Sequence, residues 1–489
     1  MFEHAHAASD FLRVPNAARS ASKPRTAATD RPAAHRRIES LLIVLFWLLI
    51  GEGALRKWIA PQVSQLLFFV RDPVLLLIYW YALRAGVLRR SPLLLQLGLA
   101  LAVLALPLAL VQILALGNSQ LVTVAIYGWR QYFLYLPLPF IIAVTHTRES
   151  LLRFARHVCA AVIITAPLVF LQFHASPSAV INRGIAEDER LQFQSFAYTG
   201  GLIRPSGTFT STVGITQLVS SSFALLLAIW LTPSKTRRFP NALLWLATAA
   251  TAACLALSGS RAAFVYCGIV ISCALVLGVL TRVSTVRIRS LLLPLTLLAV
   301  VAVLYPIVFP DALSAMLSRF NEANAVESQF SSLGIFGRAL YETIDFVSFM
   351  SRAPLAGYGL GLGGNGRTWF TSVDSDFLAR VAAESDWSRH IVDLGPIVGL
   401  LFIVYRVAFV SVLFTQVVRA TRASGSALPL LLFGFVGIGL FYGQLTGHGT
   451  VGGFLWLYLG LCLAACNSEA ANGPTTTGTR TQVRWNYVE

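Results

Sequence analysis

Twelve stretches of this chain are predominantly apolar, near residues 41–50, 65–83, 93–116, 122–144, 158–173, 213–231, 242–257, 262–280, 291–309, 391–418, 428–442 and 452–465. Most are long enough to cross about 30 Å of hydrocarbon as helix. The chain is 56% hydrophobic and only 12% charged, which is more apolar surface than one aqueous core can bury. The expected fold class is therefore all-α, a polytopic transmembrane bundle of about twelve helices. A soluble globular domain is excluded.

The formal net charge of +16 would raise nucleic acid as a partner in a soluble protein. Here the bases fall in alternate short connections: Arg84 with Arg89 and Arg90, Arg148 with Arg153 and Arg156, Lys235 with Arg237 and Arg238, Arg282 with Arg287 and Arg289, and Arg419 with Arg422. With the basic tail they agree on one orientation, both termini cytoplasmic, and no nucleic acid is called for. The expected organisation is a disordered basic tail (1–38), nine helices (39–309), a periplasmic cap loop (310–390), three last helices (391–466) and a cytoplasmic C-terminal tail (467–489). A structureless loop as long as 310–390 is unusual, so a partly helical cap is expected, with helix around 336–350. The six cysteines lie in or beside apolar runs and read as small core residues.

Several constellations on the outward side could carry chemistry. Ser258-Gly259-Ser260-Arg261-Ala262-Ala263-Phe264 places an arginine at the start of a helix. An arginine costs about 2.5 to 3.5 kcal/mol at the bilayer centre, so Arg261 is a functional candidate. With the hydroxyls of Ser258 and Ser260 and the free N–H groups of the helix it would form an anion site. The plainer reading is an interfacial arginine whose head snorkels to water. Arg204, in Arg204-Pro205-Ser206-Gly207-Thr208-Phe209, could join it around one ligand or be an ordinary loop charge; Arg338 lies in the long outward loop. His390 stands one turn from Asp393, a spacing at which a carboxylate can fix the imidazole tautomer, though a lone histidine is often structural. His174 and His448 are the other outward histidines.

Other matches fail on context. Asp374-Ser375-Asp376 has the form that holds a divalent metal and a sugar nucleotide, but it faces a compartment where nucleotide sugars are not expected. The glycines between Gly357 and Gly364 lack the ending of a phosphate loop and read as a flexible hinge into the cap. Glu52 could be an acid, or could simply pair with Arg56 and Lys57.

In order and spacing, Arg204-Pro205-Ser206-Gly207-Thr208-Phe209, Ser258 to Ala262, Ser351-Arg352-Ala353-Pro354-Leu355-Ala356-Gly357-Tyr358-Gly359, and His390 followed by Leu394-Gly395 and Gly399-Leu400 resemble the O-antigen polymerase and ligase superfamily. The resemblance covers residues 204–418 and departs from the usual pattern at Thr210-Ser211-Thr212, where Asn-Pro is common. Glu52-Gly53-Ala54-Leu55-Arg56-Lys57-Trp58 with Val70-Arg71-Asp72-Pro73 looks like the exopolysaccharide polymerase branch. The resemblance implies an inner-membrane glycosyltransferase that moves glycan from an undecaprenyl-diphosphate-linked oligosaccharide to a sugar hydroxyl at the periplasmic face. It implies His390 and Arg261 as catalytic residues with Arg204 on the substrate, and Ser258, Ser260, Arg338 and Asp393 are the further candidate substrate contacts. Arg261 and Arg204 would hold the diphosphate and His390 would take the hydroxyl proton, with no metal or other cofactor required. Expected partners are the lipid-linked oligosaccharide, membrane lipid and a chain-length regulator protein. An O-antigen ligase and a lipid-linked oligosaccharide flippase are the rival classes.

Overall fold

The computed structural model describes residues 31–471, apart from 90, 118–119, 186–202, 234–236, 282, 331–336, 338–340, 342, 365–376, 378–380 and 382. The regular elements among those residues are helices, with no β-strand. We number the helices α1 Arg31–Ala54, α2 Asp72–Arg84, α3 Leu93–Leu116, α4 Gln120–Trp129, α5 Leu138–Thr145, α6 Arg148–His174, α7 Thr212–Leu231, α8 Asn241–Leu257, α9 Arg261–Leu280, α10 Ser284–Val308, α11 Pro310–Phe330, α12 Phe346–Arg352, α13 Asp386–Ser424, α14 Leu428–Phe441 and α15 Gly449–Ala471.

Nine helices among the described residues are long and apolar enough to cross a membrane. They follow the apolar runs of the sequence. Helices α8 and α14 are apolar but shorter, at 17 and 14 residues. The run 122–144 is not one helix. It passes from α4 into a π-helical turn at Arg130–Leu134, and α5 begins only at Leu138. Pro137 and Pro139 account for the break, because proline lacks a donor and disfavours helix at the residue before it. Helix α1 already runs from Arg31, inside the segment expected to be tail. The tail residues 1–30 and 472–489 lie outside the described residues. In the cap, α11 and α12 are helical, and Arg338, Asp374 and Asp376 lie outside the described residues. All six cysteines are free, five of them buried.

Helices α15 and α7 form the centre, with 89% and 83% of their most apolar windows buried, against 6% for α10, which turns its side chains to the surroundings. Helix α15 packs against α5, α13 and α14. The alternate basic connections meet at one end of the bundle. Arg153 pairs with Glu39 at 2.6 Å, Arg148 with Glu469 at 3.9 Å, Asn467 donates to the Ala143 carbonyl at 2.9 Å, and Arg289 donates to the Thr232 carbonyl at 3.3 Å. The opposite end carries the C-terminal ends of α6, α10 and α14 and the described residues that follow them.

Helix α13 is broken at Gly395, where φ 77° and ψ 170° are open to glycine alone and Pro396 follows. Twenty residues of straight helix would separate Asp386 from Arg406 by about 30 Å. Their side chains instead meet at 2.6 Å, so the first limb, 386–394, folds back along the second, 396–424. This limb is buried throughout. The sequence reading begins the last three membrane helices at residue 391, which divides a limb that the structure keeps whole.

The glycine segment is no flexible hinge. Its residues Gly357 and Gly359 to Gly364 are buried. The Tyr358 N–H donates to the Val392 carbonyl at 2.8 Å, and the Leu360 N–H to Gln112 Oε1 at 2.8 Å. A Cβ on Gly357 would lie 2.6 Å from the Gly395 nitrogen, so this segment straps the break in α13 at backbone contact, which only glycine permits.

Candidate functional site

The folded-back limb carries Asp386, Arg389, His390 and Asp393 at spacings of three and four, on one face. Ser385 caps the limb by accepting from the Ser388 N–H at 3.0 Å. Asp386 accepts from Arg389 Nη1 at 2.9 Å, Arg406 Nη1 at 2.6 Å, Thr446 Oγ1 at 3.1 Å and the Gly447 N–H at 3.2 Å. Arg406 sits deep in the second limb. Its remaining donors go to the carbonyls of Leu440 at 2.8 Å and Gly443 at 2.9 Å, so the break brings a buried cation and its counter-ion together.

His390 is 0% exposed and both ring nitrogens are engaged. Arg406 Nη1 donates to Nε2 at 2.7 Å, which puts the ring proton on Nδ1. Nδ1 then donates to the Tyr132 hydroxyl at 3.0 Å, and that hydroxyl donates to Asp393 Oδ2 at 3.1 Å. The Gly363 N–H donates to Asp393 Oδ1 at 2.7 Å. The carboxylate therefore fixes the tautomer through Tyr132 and not directly. Rings of Tyr132 and Phe402 stand edge-on to the imidazole at 5.3 and 4.7 Å.

A second group of cations is built where α1 unwinds into a π-helical turn at Leu55–Ile59, the kind of distortion that concentrates at functional sites. Glu52 lies between Arg56 at 3.0 Å and Arg71 at 2.8 Å. Lys57 points elsewhere, donating to Ser206 Oγ at 3.0 Å and the Gly207 carbonyl at 2.9 Å. Glu52 thus pairs with Arg56 and Arg71, not with Lys57. A neighbouring pair, Arg130 and Asp72, is joined twice, at 2.5 and 2.7 Å.

The segment Gly447-His448-Gly449 threads between the two groups. The Arg389 guanidinium packs on Gly447, where a Cβ would collide with it, and Arg71 Nη1 donates to the Gly449 carbonyl at 3.2 Å. His448 Nε2 lies 3.1 Å from Ser211 Oγ, and its Nδ1 is buried without a hydrogen-bond partner. Burial, with Arg71, Arg389 and Arg56 nearby, pushes its imidazole down to about 4. Around this junction four buried cations, Arg56, Arg71, Arg389 and Arg406, stand with three buried carboxylates, Glu52, Asp386 and Asp393, while a fifth buried cation, Lys57, turns to the Ser206 loop. Such an excess of buried positive charge is unfavourable without an anion, so the arrangement can receive one.

The motif at Ser258 is a turn. Gly259 has φ 55°, Ser258 Oγ accepts from the Ser260 N–H at 3.3 Å, and Ser260 Oγ caps α9 at the Ala263 N–H, 3.3 Å away. Thr216 Oγ1 donates to Ser260 Oγ at 2.7 Å, tying the turn to the first turn of α7. Both serines are buried and used in these bonds. Arg261 lies over the ring of Phe320 in α11, 5.7 Å from its centroid. Arg204 is half-buried in the loop that Lys57 grips through Ser206 and Gly207, and Gln172 holds Gly207 from the other side at 2.8 Å. His390 and Asp393 are therefore brought together through Tyr132, and the Arg204 loop is brought to the cations of α1. The sequence reading did not name Arg71, Arg389 or Arg406 as site residues, although Arg71 stood in the motif quoted for the polymerase branch. The signal was present for two of them, since Arg71 and Arg406 interrupt runs that are otherwise apolar.

No protein-family model matches the chain, and no curated protein matches its sequence.

Proposed function

We propose that this chain is an integral-membrane polysaccharide polymerase of the bacterial inner membrane, with both termini cytoplasmic. It transfers glycan from an undecaprenyl-diphosphate carrier to a sugar hydroxyl of another lipid-linked repeat unit. The observation that supports this most is the excess of buried guanidinium and ammonium groups at the end of the bundle that holds the long connections. The sequence resemblance supplies the substrate class, and the cations supply a reason for a diphosphate.

The acceptor oxygen attacks the anomeric carbon, the bond from that carbon to the diphosphate oxygen breaks, and its electron pair leaves with the diphosphate. Planar guanidinium groups stabilise that leaving charge through paired N–H donors, the service that magnesium gives in nucleotide-sugar enzymes. The acceptor proton passes to a histidine. A chain-length regulator is the protein partner this reading calls for.

The test is purified full-length protein in lipid nanodiscs, given undecaprenyl-diphosphate-linked repeat units isolated from cells lacking the gene. Glycans longer than one repeat are expected. A single transfer to lipid A-core and none to a second repeat would make it a ligase. Movement of the lipid-linked unit across vesicles without a new glycosidic bond would make it a flippase.

A further inference from the structure

Two histidines stand beside the basic centre, and their surroundings differ in one decisive way. His390 has both nitrogens engaged, one by Arg406 and one by Tyr132, inside a closed aromatic cage. His448 has one nitrogen engaged, by Ser211, and its Nδ1 is buried with no partner. A buried nitrogen without a partner carries a desolvation penalty of about 1–3 kcal/mol, so its persistence calls for a group that occupies the site in function.

We propose that His448, with Ser211 behind it, is the catalytic base of the transfer, and that His390 is a positioning residue. The assignment rests on the polymerase reading and deepens it. In the tautomer required, Nε2–H donates to Ser211 Oγ and the lone pair of Nδ1 is free. The acceptor hydroxyl gives its proton to Nδ1 as its oxygen bonds the anomeric carbon and the diphosphate leaves with the electron pair. The charged groups around His448 are Arg56 and Arg71 with their shared partner Glu52, and Arg389 with its partner Asp386. Burial, with these guanidinium groups beside it, keeps the free imidazole neutral. A bound diphosphate offsets their charge, so the base strengthens when donor is present. His390 meanwhile holds Arg406 and, through Tyr132, the limb that carries Arg389.

The experiment uses the reconstituted full chain, the lipid-linked repeat unit for rates and undecaprenyl diphosphate for binding. His448→Gln keeps an amide for Ser211 but has no base. It should bind undecaprenyl diphosphate as the wild type does and transfer about 10² times more slowly or worse. Its residual rate should lack the acid limb of the pH profile, and His448→Asn should behave alike. Ser211→Ala should lose about tenfold and Ser211→Thr should regain most of it. His390→Gln should be slow yet keep the acid limb. If His448→Gln and His448→Asn keep more than about a tenth of the rate, or the acid limb disappears in His390→Gln instead, His448 is not the base, although the polymerase reading stands. Wild-type protein that neither binds undecaprenyl diphosphate nor lengthens glycan refutes the polymerase reading and this assignment with it.

Discussion

Arg406 and Asp386 touch at 2.6 Å although they stand twenty positions apart in what begins and ends as helix. The contact exists because the chain reverses at Gly395, and it places a guanidinium from the middle of an apolar run beside a carboxylate from the mouth of the cap. The same carboxylate binds Arg389 and the backbone that leads to His448. One ion pair thus links the break in a helix to the two histidines.

Gly395→Ala should therefore be severe. A Cβ at this position would lie 2.7 Å from the Gly357 nitrogen, and the backbone angle is one that alanine adopts only under strain. We expect a lower melting temperature in detergent and loss of transfer together. Gly268→Ala, with nothing within 4 Å of its Cβ, is the control and should melt like the wild type.

Tyr132→Phe keeps the ring against His390 and Phe402 but removes the hydroxyl that joins His390 to Asp393. Two buried polar groups lose a partner, at about 1–3 kcal/mol each. Thermal unfolding should show a drop, and the transfer rate should fall by more than the loss of folded protein explains. An unchanged rate in Tyr132→Phe would mean that the tautomer of His390 does not matter.

Orientation is tested by single cysteines in a cysteine-free background. An impermeant thiol reagent added from the periplasmic side should label Ser178→Cys and Ser328→Cys and spare Ser234→Cys, since residue 234 belongs to the basic connections. Labelling of Ser234→Cys with protection of Ser328→Cys would turn the bundle over and move the basic centre to the other compartment.

Arg71 lies in a quoted motif but was given no role from sequence, and its fork engages both Glu52 and the Gly449 carbonyl. Arg71→Lys keeps the charge and loses the fork, so binding of undecaprenyl diphosphate should weaken by about tenfold with normal membrane levels. Transfer itself should be indifferent to EDTA, and the double variant Asp374→Asn with Asp376→Asn should keep its rate. Chelator-sensitive synthesis would restore the metal reading of those aspartates.

How much of this was legible follows from what each feature depends on. The spans were readable because hydropathy acts residue by residue and needs no knowledge of neighbours, and the bases at Arg148, Arg153 and Arg289 marked one end for the same reason. His390 and Asp393 were readable as a pair from helical spacing. Tyr132 between them was not, because it comes from a distant π-helical turn. The reversal at Gly395 hid inside an apolar run, where Pro396 was the only sign of it. The glycines between Gly357 and Gly364 misled in the opposite direction. Their missing side chains suggested freedom, whereas in the fold they permit contact.

The reversed limb also constrains how the protein can be made. Its charges are neutralised by Arg406, Thr446 and the Gly447 backbone, all of which are synthesised after it. When residues 386–394 leave the ribosome, Asp386 has Arg389 beside it but not Thr446 or the Gly447 backbone, and lipid accepts so incompletely satisfied a pair only at a cost. The limb must wait outside the bilayer until α14 and α15 have been inserted, and only then fold inward along its own helix. Truncation before residue 446 would consequently leave a chain whose spans are present but whose last step of assembly never takes place.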